Sequence, residues 1–412
     1  MRKTWSLVAQ TSVAKILWVL ATLVTTALTA RFLGPDGRGV YVAAVSWVTT
    51  FSTLGYLSLS QVIVYLATGK NHDEWLPGVV GSLLAILGTV AIASWILVVT
   101  LYFGTGGAAF KNLSGITLLC AFAGLPFLLW IENGNGILMA MGRLHVLNIA
   151  QVTGAVAAVL LTFLFLGPFK LGVPGGLIAL AISQSAIVAI SLGYVIKQVG
   201  RPRADRESTK ALLTGGAKLH LNAVGTYLFT QANVIILNNY VAPSQTAYYQ
   251  LALQLATGMQ IIPLAVSTVA YSLVSRVGPD EAWPEHRKLL GQVLLLVLVL
   301  SIIAAIVAPF AVKLVFGAAF APSVPLFRIL LLSTLGSTMA IVMAAQWIGR
   351  GYFLQSALLT LVLGTLVVIA NLICVPRWGT GGAVWVTVGA SGVSVLGNSI
   401  MAIWIESRLR RR

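Results

Sequence analysis

Hydrophobic residues along this chain come in long unbroken runs. They show neither the strict alternation of a half-buried strand nor the single stripe of a soluble helix. A helix needs about 20 mainly apolar residues to cross a bilayer. Twelve stretches meet that length, at roughly 11–33, 40–67, 77–103, 113–138, 147–167, 173–196, 217–240, 245–274, 289–315, 322–347, 354–375 and 381–405. The connectors are short and rich in Gly, Pro and charge, such as LGPDGRG from Leu33, GPFKLG from Gly167 and GPDEAWPEHRK from Gly278. The longest polar stretch runs from Lys197 to Lys210. The pattern predicts an all-α polytopic membrane protein with twelve transmembrane helices.

Composition agrees. Of 412 residues, 58% are hydrophobic and 9% charged, and the mean hydropathy is +0.93. Soluble domains carry about 25% charged residues, so a soluble enzyme, a disordered chain and a secreted disulfide scaffold are all excluded. Continuous runs likewise exclude an outer-membrane barrel. Cys120 and Cys374 both fall in apolar runs and read as small packing residues. The basic start MRKTWSLVAQ has no short apolar core with a cleavage site behind it, so it reads as the lead-in to an uncleaved first span.

The net charge is +16. The basic residues lie between apolar runs, where they orient the chain and meet anionic headgroups, with no nucleic acid implied. With the N-terminus in the cytoplasm, eighteen Lys and Arg fall on the cytoplasmic side, Arg143, Lys218 and Arg350 among them. Six fall on the other: Arg31, Arg38, Lys111, Lys170, Lys313 and Arg377. This bias supports an even number of spans with both termini cytoplasmic.

The chain also repeats itself. Pro35 matches Pro243, Tyr41 matches Tyr249, Ala44 matches Ala252 and Thr49 matches Thr257, all 208 residues apart. Gly142-Arg143 matches Gly349-Arg350 and Gly175-Gly176 matches Gly381-Gly382, in the same order. The expected organisation is an N-terminal six-helix bundle over 1–196, a basic cytoplasmic linker over 197–216 and a C-terminal six-helix bundle over 217–412. Six spans per half is even, so the halves share an orientation. A pseudo-twofold along the membrane normal is expected, with a substrate site at the repeat interface.

Polar side chains inside spans are the candidates for chemistry. The first span carries Thr11, Lys15, Thr22, Thr25, Thr26 and Thr29 within about 100° of helical arc. The seventh carries His220, Tyr227, Gln231 and Asn238 on one face. Paired stripes on equivalent helices suggest a wet cavity; interhelical hydrogen bonding is the other reading. Lys15, about one turn inside the first span, fits either an anion contact or a snorkelling side chain. Arg31 and Arg328 carry the same two readings, a phosphate contact or an anchor. His220 is either a titrating group or a hydrogen-bonded packing residue. Glu132, in WIENGNG, is the only acid well inside a span. It is either an ion-coupling carboxylate or half of a structural ion pair. The sequence contains no P-loop, no metal-ligand spacing and no arguable hydrolytic triad, and nothing calls for a cofactor.

The run TARFLGPDGRGVYVAAVSWVTTFSTLGYLSLSQVIVYLATG resembles the N-terminal signature of polysaccharide-biosynthesis flippases, the Wzx-like members of the multidrug/oligosaccharidyl-lipid/polysaccharide (MOP) superfamily. MGRLHVLN, APSQTAYYQLA, VFGAAFAPSVPLFRIL and VPRWGTGGAVW extend the likeness across the chain in order. The resemblance implies a MATE-like fold in a bacterial cytoplasmic (inner) membrane. It implies alternating-access transfer of undecaprenyl-diphosphate-linked oligosaccharide to the periplasmic leaflet, for O-antigen, capsule or exopolysaccharide assembly. Membrane lipids, a polysaccharide polymerase and a chain-length regulator are the implied partners, and Lys15 and Arg31 suit an anionic headgroup. The two extra spans usual in the lipid II branch are missing. Two alternatives remain: a multidrug or cation antiporter of the same fold, and an integral-membrane polymerase or ligase. The antiporter would place acids where this chain has Lys15. The polymerase or ligase would need a larger external loop.

Overall fold

The structure is a computed structural model that describes residues 2–68 and 72–410, and the side chains of 2–12, 72–74, 218, 222, 353 and 410 are outside the description. The stripe position Thr11 and Lys218, expected on the cytoplasmic side, therefore lie outside the described side chains. Fourteen helices are present among the described residues: α1 (Arg2–Gly55), α2 (Leu59–Leu66), α3 (His72–Gly104), α4 (Gly115–Phe122), α5 (Leu125–Ala140), α6 (Leu144–Leu166), α7 (Gly172–Val199), α8 (Arg206–Thr230), α9 (Ala232–Tyr240), α10 (Pro243–Gly258), α11 (Ile261–Val277), α12 (Trp283–Phe316), α13 (Ser323–Gly349) and α14 (Phe353–Arg410).

Fourteen helices make twelve crossings because some are too long and others are broken. α1 and α14 have 54 and 58 residues. Either would measure about 80 Å if straight, far more than a bilayer of about 30 Å. α1 bends at Gly34 (φ 65°, ψ −179°) and α14 at Gly379 (φ 55°, ψ −135°). Only glycine reaches those angles cheaply, and Pro35 further disfavours helix at the residue before it. Conversely, α2 completes the second crossing, α4 and α5 share the fourth, α8 and α9 the seventh, and α10 and α11 the eighth.

By compactness the chain divides into Met1–Tyr227 and Leu228–Arg412. In the first unit, α6 packs along both α1 and α7. The core there includes Leu83, Leu125, Leu129, Ile137 and Leu138, all fully buried. Residues 197–216, expected to be a linker, lie on this unit. Arg203 N–H donates to the Pro77 carbonyl at 3.2 Å, and Thr209 donates to Ser82 at 2.9 Å. Gly78 and Gly81 admit this segment, because a Cβ on Gly81 would stand 2.5 Å from Ala204 N. In the second unit, α13 packs against α10, α11, α12 and α14, around Val297, Val342, Met343 and Ile405. Arg350, counted in the sequence as an orienting charge, is largely buried here and pairs with Asp280 at 2.9 Å.

The repeat is deeper than the sequence matches suggested. Gly107-Ala108-Ala109-Phe110 and Gly317-Ala318-Ala319-Phe320 are identical, 210 residues apart. Each forms a 3-10 turn with a buried phenylalanine. The Gly-Arg match shifts by two. The left-handed glycine after the fourth crossing is Gly142 (φ 68°), and its structural counterpart after the tenth is Gly351 (φ 78°), not Gly349. Gly142 N–H bonds the Met139 carbonyl and Gly351 N–H bonds that of Ile348, three residues back in both turns.

Candidate functional site

Most of the first-span hydroxyls are turned back onto their own helix. Thr22 donates to the Trp18 carbonyl at 2.9 Å and Thr25 to that of Thr22 at 3.0 Å. Thr29 is buried and donates to the Thr25 and Thr26 carbonyls. The end of the stripe is occupied by a residue the sequence placed in a loop. Arg38, 3% exposed, folds back across the Gly34 bend and donates to the Thr26 carbonyl at 3.1 Å and to Thr29 Oγ1. The guanidinium therefore joins the helix after the Gly34 bend to the turn before it, as a charged donor to a carbonyl and a hydroxyl that are both buried. The signal was available, because Arg38 is four residues past a Gly-Pro break and so one turn away from it.

Lys15 is exposed, as are Val13, Ile16, Leu17, Trp18 and Leu20 around it. This stretch of α1 is bare on nearly all sides. The lysine is thus accessible, as both a ligand contact and a snorkelling side chain require. Arg31, at the far end of the same crossing, is also exposed.

His220 has a structural position. Its Nε2 lies 3.1 Å from the Leu54 carbonyl and its Nδ1 3.4 Å from Ser58 Oγ. Tyr56 meets the ring edge-on at 5.4 Å. These contacts assign the proton to Nε2, which donates to the Leu54 carbonyl, while Nδ1 accepts from the serine hydroxyl. They brace the break between α1 and α2, where Leu57 and Ser58 both have positive φ, an uncommon conformation for residues with side chains. Tyr227, about two turns further along α8, hydrogen-bonds Thr50. Of the remaining stripe, Gln231 is exposed at the break before α9 and Asn238 is fully buried. The structure therefore divides the seventh-span stripe: two members tie into the first unit, one sits at a break and one is in the core of the second unit.

Arg328 also has a backbone partner. Its Nε donates to the Ala305 carbonyl at 2.9 Å. In a regular helix that carbonyl would receive the N–H of residue 309, which is a proline inside α12 and has none.

Glu132 differs from all of these. In WIENGNG, Trp130 donates to Ser191 at 2.9 Å, and the Asn133 side chain accepts from Ser60 N–H at 3.2 Å. Gly136 abuts α2, since a Cβ there would lie 2.5 Å from the Ser60 carbonyl oxygen. These residues form the inner face of α5. Glu132 projects from the other side and is exposed. Ion pairs found among the described residues are Arg287–Glu406 and Arg350–Asp280. The structural-pair reading of Glu132 thus has no partner among the described residues, and no three His, Cys, Asp or Glu side chains among them are grouped to hold a metal ion.

These features describe an all-α, multi-pass membrane protein. Solved structures similar to it include an inward-facing multidrug resistance MATE family transporter of the MOP superfamily, at TM-score 0.74 and 15% identity, with 97% of this chain and 99% of that one covered. The lipid II flippase MurJ, in an inward closed conformation, matches at TM-score 0.76 and 14% identity, over 95% of this chain and 86% of that one. A Vibrio cholerae MATE transporter, VcmN, matches at TM-score 0.61 and 15% identity, over 100% and 99%. No curated protein matches in sequence. Residues 5–277 match the polysaccharide biosynthesis protein family, and the chain belongs to that family.

Proposed function

We propose that the chain is a flippase that carries an undecaprenyl-diphosphate-linked oligosaccharide from the cytoplasmic to the periplasmic leaflet of a bacterial inner membrane. It works by alternating access of its two six-span halves, 1–196 and 217–412, and serves assembly of a surface polysaccharide such as O-antigen, capsule or exopolysaccharide. Both termini are cytoplasmic, following the basic bias. A polymerase and a chain-length regulator would act on the delivered lipid.

The observation that carries this reading is the family match together with the charge inside the spans. Lys15 is an exposed cation within the first crossing, and the net charge is +16. A bare intramembrane cation suits a diphosphate and repels an organic cation. Arg31 would contact the headgroup at the far end, with Gln231 and Thr22 as polar contacts to sugar. Arg328, His220 and Asn238 remain in the candidate set. The backbone bonds of Arg328 and His220 and the burial of Asn238 favour support of the helices around the substrate. Glu132, exposed and without an ion partner among the described residues, supports a role in coupling to an ion gradient.

Loss of the chain from its cells tests the reading. The expected result is that lipid-linked oligosaccharide accumulates on the cytoplasmic side and surface polysaccharide falls. Unchanged polysaccharide together with raised sensitivity to organic cations would instead favour the antiporter.

A further inference from the structure

The third and fourth crossings are joined by ten residues, yet α3 and α4 do not pack closely against one another. An apolar groove of about 660 Å³ opens along them instead, walled by Trp95, Val99, Tyr102, Phe103, Leu119 and Phe122. Phe103 and Leu119 are 77% and 72% exposed, so its outer rim opens sideways into the hydrocarbon. One end is closed by the break at Ala123–Gly124. There the Trp95 indole donates to the Phe122 carbonyl at 3.0 Å, a carbonyl whose helical donor would be residue 126, a proline, so that this polar group is already paired. The other end meets the 105–114 connection, which carries Lys111 and no acid.

The groove's length is informative. Gly115 to Ala123 is eight helical steps, or about 12 Å, close to one leaflet's share of a hydrocarbon core of about 30 Å. A slot one leaflet deep, continued at one end by a connection that carries a lysine, suits a single molecule that has both a long hydrocarbon chain and a phosphate. We propose that it holds the polyprenyl chain of the transported lipid, with the phosphate beside Lys111. This deepens the proposed function and rests on it. During transfer the headgroup passes through the protein while the chain must stay in hydrocarbon, and a seat on the outer face of this unit meets that need.

The test uses the full-length protein in phosphatidylethanolamine vesicles containing a photoactivatable polyprenyl phosphate, with adducts mapped by mass spectrometry. Adducts are expected on Val99, Phe103 and Leu119, enriched over Leu295 and Ile306 of α12. Leu119→Trp, which fills the slot from an exposed position, is expected to lower them about tenfold, the effect of displacing roughly two methylene contacts. Lys111→Ala is expected to lower them less, and excess phosphatidylglycerol should not compete. Even labelling of all lipid-facing helices, or competition by phosphatidylglycerol as strong as by unlabelled polyprenyl phosphate, would overturn the proposal. Translocation by the same wild-type vesicles separates the two claims. Transfer without groove adducts refutes the groove alone, and groove adducts without transfer refute the flippase reading alone.

Discussion

Arg328 and Pro309 are complementary: the arginine Nε donates to the Ala305 carbonyl at 2.9 Å, the acceptor that Pro309 leaves without its helical donor. A charge early in the tenth span thereby gains a structural reason to be there. Arg328→Leu should lower stability in detergent by about 1–2 kcal/mol, the cost of an unpaired carbonyl away from water. In a Pro309→Ala background, where an N–H is restored, the same change should cost little. Thermal melting of the four proteins checks this. Equal losses in both backgrounds would show that Arg328 acts elsewhere.

Arg38 and Thr29 form a similar brace at the first bend. Arg38→Met should destabilise the protein by about 2–3 kcal/mol, since it strips donors from buried acceptors. Thr29→Ala should cost less, because the Thr26 carbonyl keeps its guanidinium. A melting temperature unchanged in Arg38→Met would contradict the brace.

Gly136 sets how closely α2 approaches α5. Gly136→Ala puts a methyl against the Ser60 backbone, which cannot yield as a flexible side chain would. A loss of about 1–3 kcal/mol is expected from this overpacking. The check is the yield of monodisperse protein and its melting temperature, with Gly193→Ala, where a Cβ meets nothing within 4 Å, as the comparison that should change little.

Asp205 caps α8, accepting the Ser208 N–H at 2.7 Å. That bond holds its carboxyl below the ordinary aspartate value of 3.8. A depressed value in the folded state stabilises above the ordinary value and is lost as pH falls through the folded one. Asp205→Ala should therefore cost about 0.5 kcal/mol at neutral pH, the low end for an exposed cap, and the difference from the parent should close as the pH drops below 3.8. A gap that persists in acid would rule out the charged cap.

The crossings were legible in the sequence because apolar length alone dictates them, and Gly34-Pro35 announced its own bend. The breaks at Ala123–Gly124 and around Ser58 were not, since each is stabilised by a distant partner, Trp95 in one case and His220 in the other. The GAAF repeat was readable but stands at an offset of 210, beside matches at 206–208. Lys15 and Glu132 were found from sequence because an intramembrane charge is rare. Arg38 was misplaced because the sequence shows where a charge sits along the chain and not how far it folds back. The threonine stripe was visible as a pattern, but most of its hydroxyls serve the helix itself.

Transbilayer movement of a fluorescent undecaprenyl-diphosphate oligosaccharide in proteoliposomes, with Lys15→Ala measured beside the parent, tests the central claim most directly. The parent should move the lipid well above protein-free vesicles, and the variant, inserted to the same level, should be slower by about tenfold, as for one lost charged contact of roughly 1.4 kcal/mol. Glu132→Gln should lose its response to an imposed ion gradient. A parent rate equal to that of empty vesicles, with organic cations transported instead, would contradict the account.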